Sequence, residues 1–233
     1  MSRRRTTSPS TWILDMDRTI VFTTAEEPDS VERLRGLGIL RDIELKQRIC
    51  RFEVCDATTA PGSGCREEMW GVIRPGLDEF LDTAERTVDY IVIWSAGTPR
   101  YVDETCRYIF AGRRPPDLIL HRNSFLENGR PIEGKPLSRL VGHPHLPGFS
   151  LARSLIADDR GDNFLDNPGN GVLIPPYEPE WTVEGIRRPD DALPRLSRWW
   201  RLNADAPDFR ILDKSRIFVD DSPIESRLAA LSL

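Results

Sequence analysis

Residues 12–20 read WILDMDRTI. The apolar segment Trp12–Leu14 stops at two acids, Asp15 and Asp17, one residue apart. A short continuous apolar run fits a strand buried on both faces of a parallel sheet. Acids just past its carboxyl end stand where open α/β sheets gather their reactive groups. Taken alone, the pair reads first as an ordinary solvated strand end, because a short motif decides little by itself.

The rest of the chain repeats the pattern. VDYIVIWSAG (88–97) is a β-rich run that ends at Ser95, and ARSLIADD (152–159) is a third apolar run that ends at Asp158 and Asp159. Leu77, Phe80, Leu81 and Ala84 fall on one helical face, with Pro75 suited to the first turn. Val102, Thr105, Cys106, Ile109 and Phe110 share a second helical face that Gly112 can end, which makes Cys106 a core residue rather than a nucleophile. GVLIPPYE (171–178) predicts a fourth strand, DDALPRLSRWW (190–200) a late amphipathic helix, and the tail from 215 another strand followed by a helix. Residues 23–72 read as an insertion. It begins with a charged piece carrying Leu34, Leu37, Leu40 and Leu45 and closes with a small β element around 49–60 and 69–73. Alternating strands and helices predict an α/β fold with a central parallel sheet. The expected layout is a flexible arm over 1–10 and a single domain over 11–233.

Composition narrows the function. The chain has 233 residues, 39% hydrophobic and 30% charged, with a net charge of −5, so a water-facing domain with a sizeable core is expected. That balance gives no reason to expect nucleic acid or an anionic membrane as the main partner. The basic start MSRRRTTSPS lacks the apolar stretch of a secretory signal, which predicts an intracellular protein. Cys50, Cys55, Cys65 and Cys106 form no zinc-ligand spacing and read as free thiols. Arginine far outnumbers lysine, so Lys135, in the loop between the second and third apolar runs, stands out.

Two carboxylates, a hydroxyl, a lysine and a second acid pair can build a phosphoryl-transfer site. Asp15 would attack phosphorus and become an aspartyl-phosphate. A carboxylate facing a phosphate dianion needs positive charge nearby, which Mg²⁺ and Lys135 can supply. Magnesium takes oxygen ligands, and Asp15, the backbone carbonyl of Asp17 and the acids Asp158 and Asp159 offer them. Asp17 fits a general acid toward the leaving oxygen, then a base toward water. Ser95 and nearby backbone N–H groups such as that of Ala96 would bind phosphoryl oxygens.

These residues resemble a known family. LDMDRTI resembles the D-x-D-x-T motif of the haloacid dehalogenase (HAD) superfamily phosphatases. RPGLDEFL, YIVIWSAGTPRYVDE, GKPLSRL, LIADDRGDNFLDNPGNGVLIPPYE and DDALPRLSRWW resemble, in order, the FCP/SCP phosphatases of the RNA polymerase II C-terminal domain (CTD) and the NLI-interacting-factor-like proteins. The resemblance runs from about residue 11 to about 202. It implies a Rossmann-like core with a small β element inserted after the first strand. It also implies Mg²⁺-dependent removal of phosphate from Ser or Thr of a phosphorylated protein or peptide. By the motifs, Asp15 matches the nucleophile, Asp17 the general acid/base, Thr19 the loop-bracing threonine, Ser95 the second-motif hydroxyl, Lys135 the phosphate-binding lysine, and Asp158 with Asp159 the metal-site acids. A phosphatase for a small phosphomonoester or a nucleic-acid end, and a non-catalytic scaffold, are the alternatives.

The chain departs from the family in three places, of which one is the insertion over 23–72, which does not match the family's substrate-binding insertion. Arg18 stands where the family usually has Glu, which puts a cation beside the substrate mouth. The fourth motif is Asp-Asp rather than the frequent Asp-Asn. A rival for that motif is IFVDDSP (217–223), where Asp220 and Asp221 also follow an apolar run.

Overall fold

The computed structural model describes residues 8–25, 43–55, 62 and 64–219. Its centre is a five-stranded, all-parallel sheet. The strands are β1 (Thr11–Leu14), β5 (Tyr90–Trp94), β6 (Leu118–Leu120), β9 (Ser154–Asp158) and β10 (Gly171–Leu173), in the order β10-β9-β1-β5-β6. β1 lies in the middle, with Leu14 opposite Ile93 on one side and Ala157 on the other. All four of its residues are buried, as expected for a parallel strand covered on both faces.

Side chains alternate across the sheet and so sort into two cores. Trp12, Leu14, Ile91, Ile93, Leu155 and Ala157 point to one side. There they meet α2 (Leu77–Thr87), α3 (Pro99–Ile109) and α5 (Ala192–Asn203). Ile13, Val92, Trp94 and Ile156 point to the other, where Leu137 and Leu140 of a short 3₁₀ turn, with Leu146 and Phe149, cover them. The predicted helical faces are present: Leu77, Phe80, Leu81 and Ala84 are buried, as are Val102, Thr105, Cys106 and Ile109. Trp200 packs edge-on against both Trp12 and Phe209, and its Nε1 donates to Thr87 Oγ1 at 2.7 Å.

Between β1 and β5 the chain forms a second, antiparallel sheet. It contains β2 (Val21–Thr24), β3 (Ile49–Cys55) and β4 (Arg66–Ile73) in the order β2-β4-β3, preceded on β3's side by α1 (Ile43–Arg48). Leu45, Trp70 and Val72 pack with Tyr177 and with Ile186 of α4 (Val183–Arg187). β7 (Leu126–Glu127) and β8 (Arg130–Pro131) make a small hairpin. Of the expected charged piece, Leu34, Leu37 and Leu40 lie outside the described residues, as do Asp220 and Asp221.

Two sequence expectations are corrected. Pro75 precedes the helix instead of starting it, because Gly76 takes the N-cap with φ +76° and α2 begins at Leu77. Residues 215–219 form turns rather than a strand. Ile217 and Phe218 pack into the helix-side core, Ile217 N–H donates to Lys214 O, and Arg195 takes the Val219 carbonyl at 2.7 Å, so this backbone has no sheet edge to join. All four cysteines are free thiols, with Cys50 and Cys106 buried. No helix among the described residues is long and apolar enough to cross a membrane.

Candidate active site

The site assembles where β1, β5 and β9 end side by side. Asp15 continues β1, its N–H bonded to the Ala157 carbonyl at 2.9 Å. Lys135 Nζ donates to Asp15 Oδ1 at 2.5 Å and to Asp158 Oδ2 at 2.6 Å. Lys135 is 3% exposed and Asp158 0%, so this ammonium and these carboxylates face one another away from bulk water. Asp158 also accepts from the Arg160 N–H and from both approaches of Asn163 Nδ2, each at 2.9 Å. Carboxylate oxygens of Asp15, Asp158 and Asp159 lie within 4.8 Å of one another. Burial, the largest influence, pushes the Asp15 carboxyl up to about 7; Lys135 opposes this and Asp158 adds to it. Burial also raises Asp159.

Lys135 reaches its place through a left-handed turn. Gly134 has φ +66°, and a Cβ there would press on the carbonyl oxygens of Asp162 and Asn163 at 3.2 and 3.3 Å. Lys135 N–H then bonds to Asn163 O at 2.6 Å. Ser95, past β5, is buried, and its Oγ accepts from Gly97 N–H at 3.0 Å, which leaves the hydroxyl proton free to donate. The Ala96 carbonyl accepts from Arg122 Nε at 2.9 Å, while the Ala96 N–H has no acceptor among the described residues. Ser95, Lys135, Arg122, His121, Phe125 and Asn163 line a cavity of about 170 Å³ beside the carboxylates.

Thr19 is fully buried, and its Oγ1 accepts from Asp159 N–H at 3.2 Å, so the bracing expected of it is directed at an acid of the cluster. Its carbonyl accepts from Arg74 NH1 at 3.0 Å. Arg74 is 1% exposed and forms a fork with both oxygens of Asp190, each at 2.9 Å. Arg18 has φ +60° and its carbonyl accepts from Tyr177 N–H at 2.7 Å. The exposed Arg18 guanidinium is not a lone cation at the mouth: its Nε sits 2.6 Å from Glu178 Oε1. The Asp17 side chain turns away from the carboxylate cluster toward Thr23 and Tyr101, and burial raises its carboxyl. Of the four candidate metal residues, Asp15, Asp158 and Asp159 cluster by side chain, and the Asp17 side chain is not part of that cluster.

Sequence reasoning passed over Arg74, Asn163 and Asp190, and left Tyr101, just past the second motif, evenly between lining the mouth of the site and an ordinary helix start. Arg74 carried one readable signal, a charge at the end of the apolar strand MWGVI.

A parallel α/β core with an aspartate past the middle strand, a buried lysine and two further acids is the arrangement that the resemblance to the HAD phosphatases implies. The family model described as NLI interacting factor-like phosphatase matches residues 10–210, and the chain belongs to that family. A curated relative, the ubiquitin-like domain-containing CTD phosphatase 1 of Danio rerio, is 29% identical over 161 residues, covering 66% of this chain and 49% of the relative. The protein of the same name from Homo sapiens is 28% identical over 161 residues, with the same coverage. This chain thus spans about half the length of the curated relatives it matches. Among solved structures, that of Fcp1, described as an essential RNA polymerase II CTD phosphatase, superposes with a TM-score of 0.56 at 22% identity. It covers 97% of this chain and 54% of that one, and at such identity the likeness is one of fold.

Proposed function

We propose that this chain removes phosphate from phosphoserine or phosphothreonine in a protein substrate through a covalent phospho-Asp15. The observation that carries the reading is the Lys135 ammonium held between Asp15 and Asp158 at the end of the central strand. An Asp15 oxygen forms the new P–O bond, and the pair of the breaking P–O bond goes to the departing serine or threonine oxygen. Asp17 gives that oxygen a proton, and later takes one from the water that opens the aspartyl-phosphate. Lys135 offsets the charge of the phosphoryl oxygens, and the Ser95 hydroxyl and the Ala96 N–H donate to them.

The three clustered carboxylates form an all-oxygen donor set, to which the Asp17 carbonyl would add, and this fits a hard divalent cation such as Mg²⁺. Bound there, the cation would supply positive charge against the phosphoryl oxygens. Thr19 would steady the set by holding the Asp159 backbone. The names of the relatives support a phosphorylated protein, of the CTD kind, as the substrate class. Four free thiols accord with a reducing, intracellular setting.

The test is hydrolysis of a phosphoserine peptide and an aryl phosphate with Mg²⁺ or EDTA, by wild type, Asp15→Asn and Asp17→Asn. Metal-dependent turnover is expected of the wild type, with Asp15→Asn inactive. Wild-type turnover no faster than that of Asp15→Asn overturns the reading. Preference for mononucleotides or phosphorylated DNA ends over phosphopeptides overturns the substrate class alone.

A further inference from the structure

The carboxyl of Asp17 is held by one oxygen only. Thr23 Oγ1 donates to Oδ1 at 2.8 Å, and the Tyr101 hydroxyl donates to the same oxygen. The two hydroxyl oxygens are themselves 2.6 Å apart. Oδ2 takes no partner among the described residues, and it is not among the sealed, unpartnered oxygens. The donors come from different parts of the fold, Thr23 from β2 of the antiparallel sheet and Tyr101 from the first turn of α3 on the parallel core. Gly97 makes room for the tyrosine, since a Cβ at that position would come within 2.5 Å of its ring. The ring of Phe52, from β3, stacks on the Tyr101 ring with centroids 6.5 Å apart.

We propose that Tyr101 and Thr23 are positioning residues that lock Asp17 through Oδ1, so that Oδ2 alone carries the proton to and from the reacting oxygens. The proposal rests on the proton-transfer role given to Asp17 above. An aspartate side chain left free samples several orientations. Two donors on one oxygen fix both the rotamer and the carboxyl plane, and proton transfer in the transition state depends steeply on such placement. A purely structural tyrosine would behave differently. Its ring is what fills the core, and phenylalanine would keep that packing while removing a hydroxyl that must otherwise find a partner.

Leaving groups separate the two roles. A phosphoserine peptide needs a proton on its departing oxygen, whereas a dinitrophenyl phosphate does not. Tyr101→Phe is expected to lower kcat on the phosphopeptide about tenfold to a hundredfold, part of what a general acid supplies, with KM little changed. On the dinitrophenyl phosphate the first-turnover release of dinitrophenolate, which needs no proton from Asp17, should stay within about threefold of wild type, while steady-state turnover falls because water attack on phospho-Asp15 still needs Asp17 as base. Thr23→Val should show the same selectivity and Thr23→Ser should restore the wild-type ratio. Adding Tyr101→Phe to Asp17→Asn should cost nothing further, because the two act as one unit. A crystal structure of Tyr101→Phe should show Asp17 in more than one rotamer. A loss of first-turnover dinitrophenolate release equal to the loss on the phosphopeptide, or additivity with Asp17→Asn, or an unmoved Asp17, overturns the positioning role while leaving the phosphatase intact. Failure of the wild type on both substrates overturns the phosphatase reading and this proposal with it.

Discussion

Lys135 shows how much rests on single residues. Its burial opposes its charge, yet Asp15 and Asp158 together hold its ammonium above the ordinary lysine range. Removing one partner of a buried ion pair costs about 3–5 kcal/mol, because the other charges stay behind without compensation. Lys135→Met should therefore unfold at a markedly lower temperature in EDTA, and added Mg²⁺ should restore part of the loss; thermal melts under both conditions check this. The same cluster sets a pH dependence. The folded Asp15 carboxyl titrates near 7 against an ordinary 3.8, so the metal-free folded state binds more protons than the unfolded chain between those values. Stability then falls as pH rises through that window. Asp17 and Asp159, raised first by burial, act with the same sign. The acids lowered first by arginine, Asp82, Asp162 and Asp208, act at the acid end, where stability falls as pH drops below 3.8. Metal-free melts should thus decline from about pH 4 to about pH 7, and Asp15→Asn should flatten the slope. A wild-type profile that rises over that range would refute this account. At this scale the sequence was legible for residues whose position follows from a strand end: Asp15, Ser95 and Asp158. It was mute on Arg74, Asn163 and Asp190, whose importance lies in partners up to 116 residues away.

At the scale of elements, strands and helix faces followed from periodicity because burial on one or both sides leaves a pattern of apolar residues. Helix ends did not. Gly76 displaces the start of α2 through a left-handed cap, a backbone preference that Pro75 beside it disguised. The apolar IFV of the tail looked like a strand, but Ile217 and Phe218 bury against helices instead. The turns that aim the functional groups are also elements, and they can be tested. Gly134→Ala would force a left-handed residue to carry a Cβ against two backbone oxygens that cannot swing aside. The expected cost is at least about 1 kcal/mol of stability, with a larger proportional loss in kcat as Lys135 shifts. Denaturant melts and turnover of an aryl phosphate measure the two effects. Arg74 joins three elements: β4, which it follows, the loop carbonyl of Thr19, and Asp190, whose Oδ1 also accepts the Ala192 N–H at the start of α5. Arg74→Met should cost about 3 kcal/mol or more by leaving Asp190 half-buried and unpaired, and a change under about 1 kcal/mol would show the fork to be dispensable.

Over the whole molecule, the parallel sheet and the antiparallel sheet differ in how they are held. β1 is hydrogen-bonded on both sides and buried along its length, whereas β3 exposes Arg51 and Glu53 and is an edge. The antiparallel sheet supplies Thr23 and Phe52 to the surroundings of Asp17, so its placement on the core would matter to the proposed proton transfer. From sequence it was visible only as strand-like segments, since nothing local records which surface a sheet will meet. Part of the answer is Arg48, at the end of α1. Its Nε donates to Ile73 O of β4 at 3.1 Å, NH1 to Ile186 O of α4 at 2.8 Å, and NH2 to the Tyr177 hydroxyl at 2.6 Å. One guanidinium thus ties the second sheet to the segment that follows β10, beside the apolar contact of Trp70 and Val72 with Tyr177 and Ile186. Each such bond to a charged donor contributes about 1.5–3 kcal/mol before the carbonyls are rehydrated. Native-state hydrogen exchange should therefore find two opening units, with β3 and β4 exchanging through a sub-global opening and β1, β5 and β9 only on global unfolding. Arg48→Ala should lower the opening free energy of β3 and β4 by about 2 kcal/mol and leave that of β1 nearly unchanged. Equal shifts in both sheets would mean that they unfold as one unit and that Arg48 is an ordinary contributor to global stability.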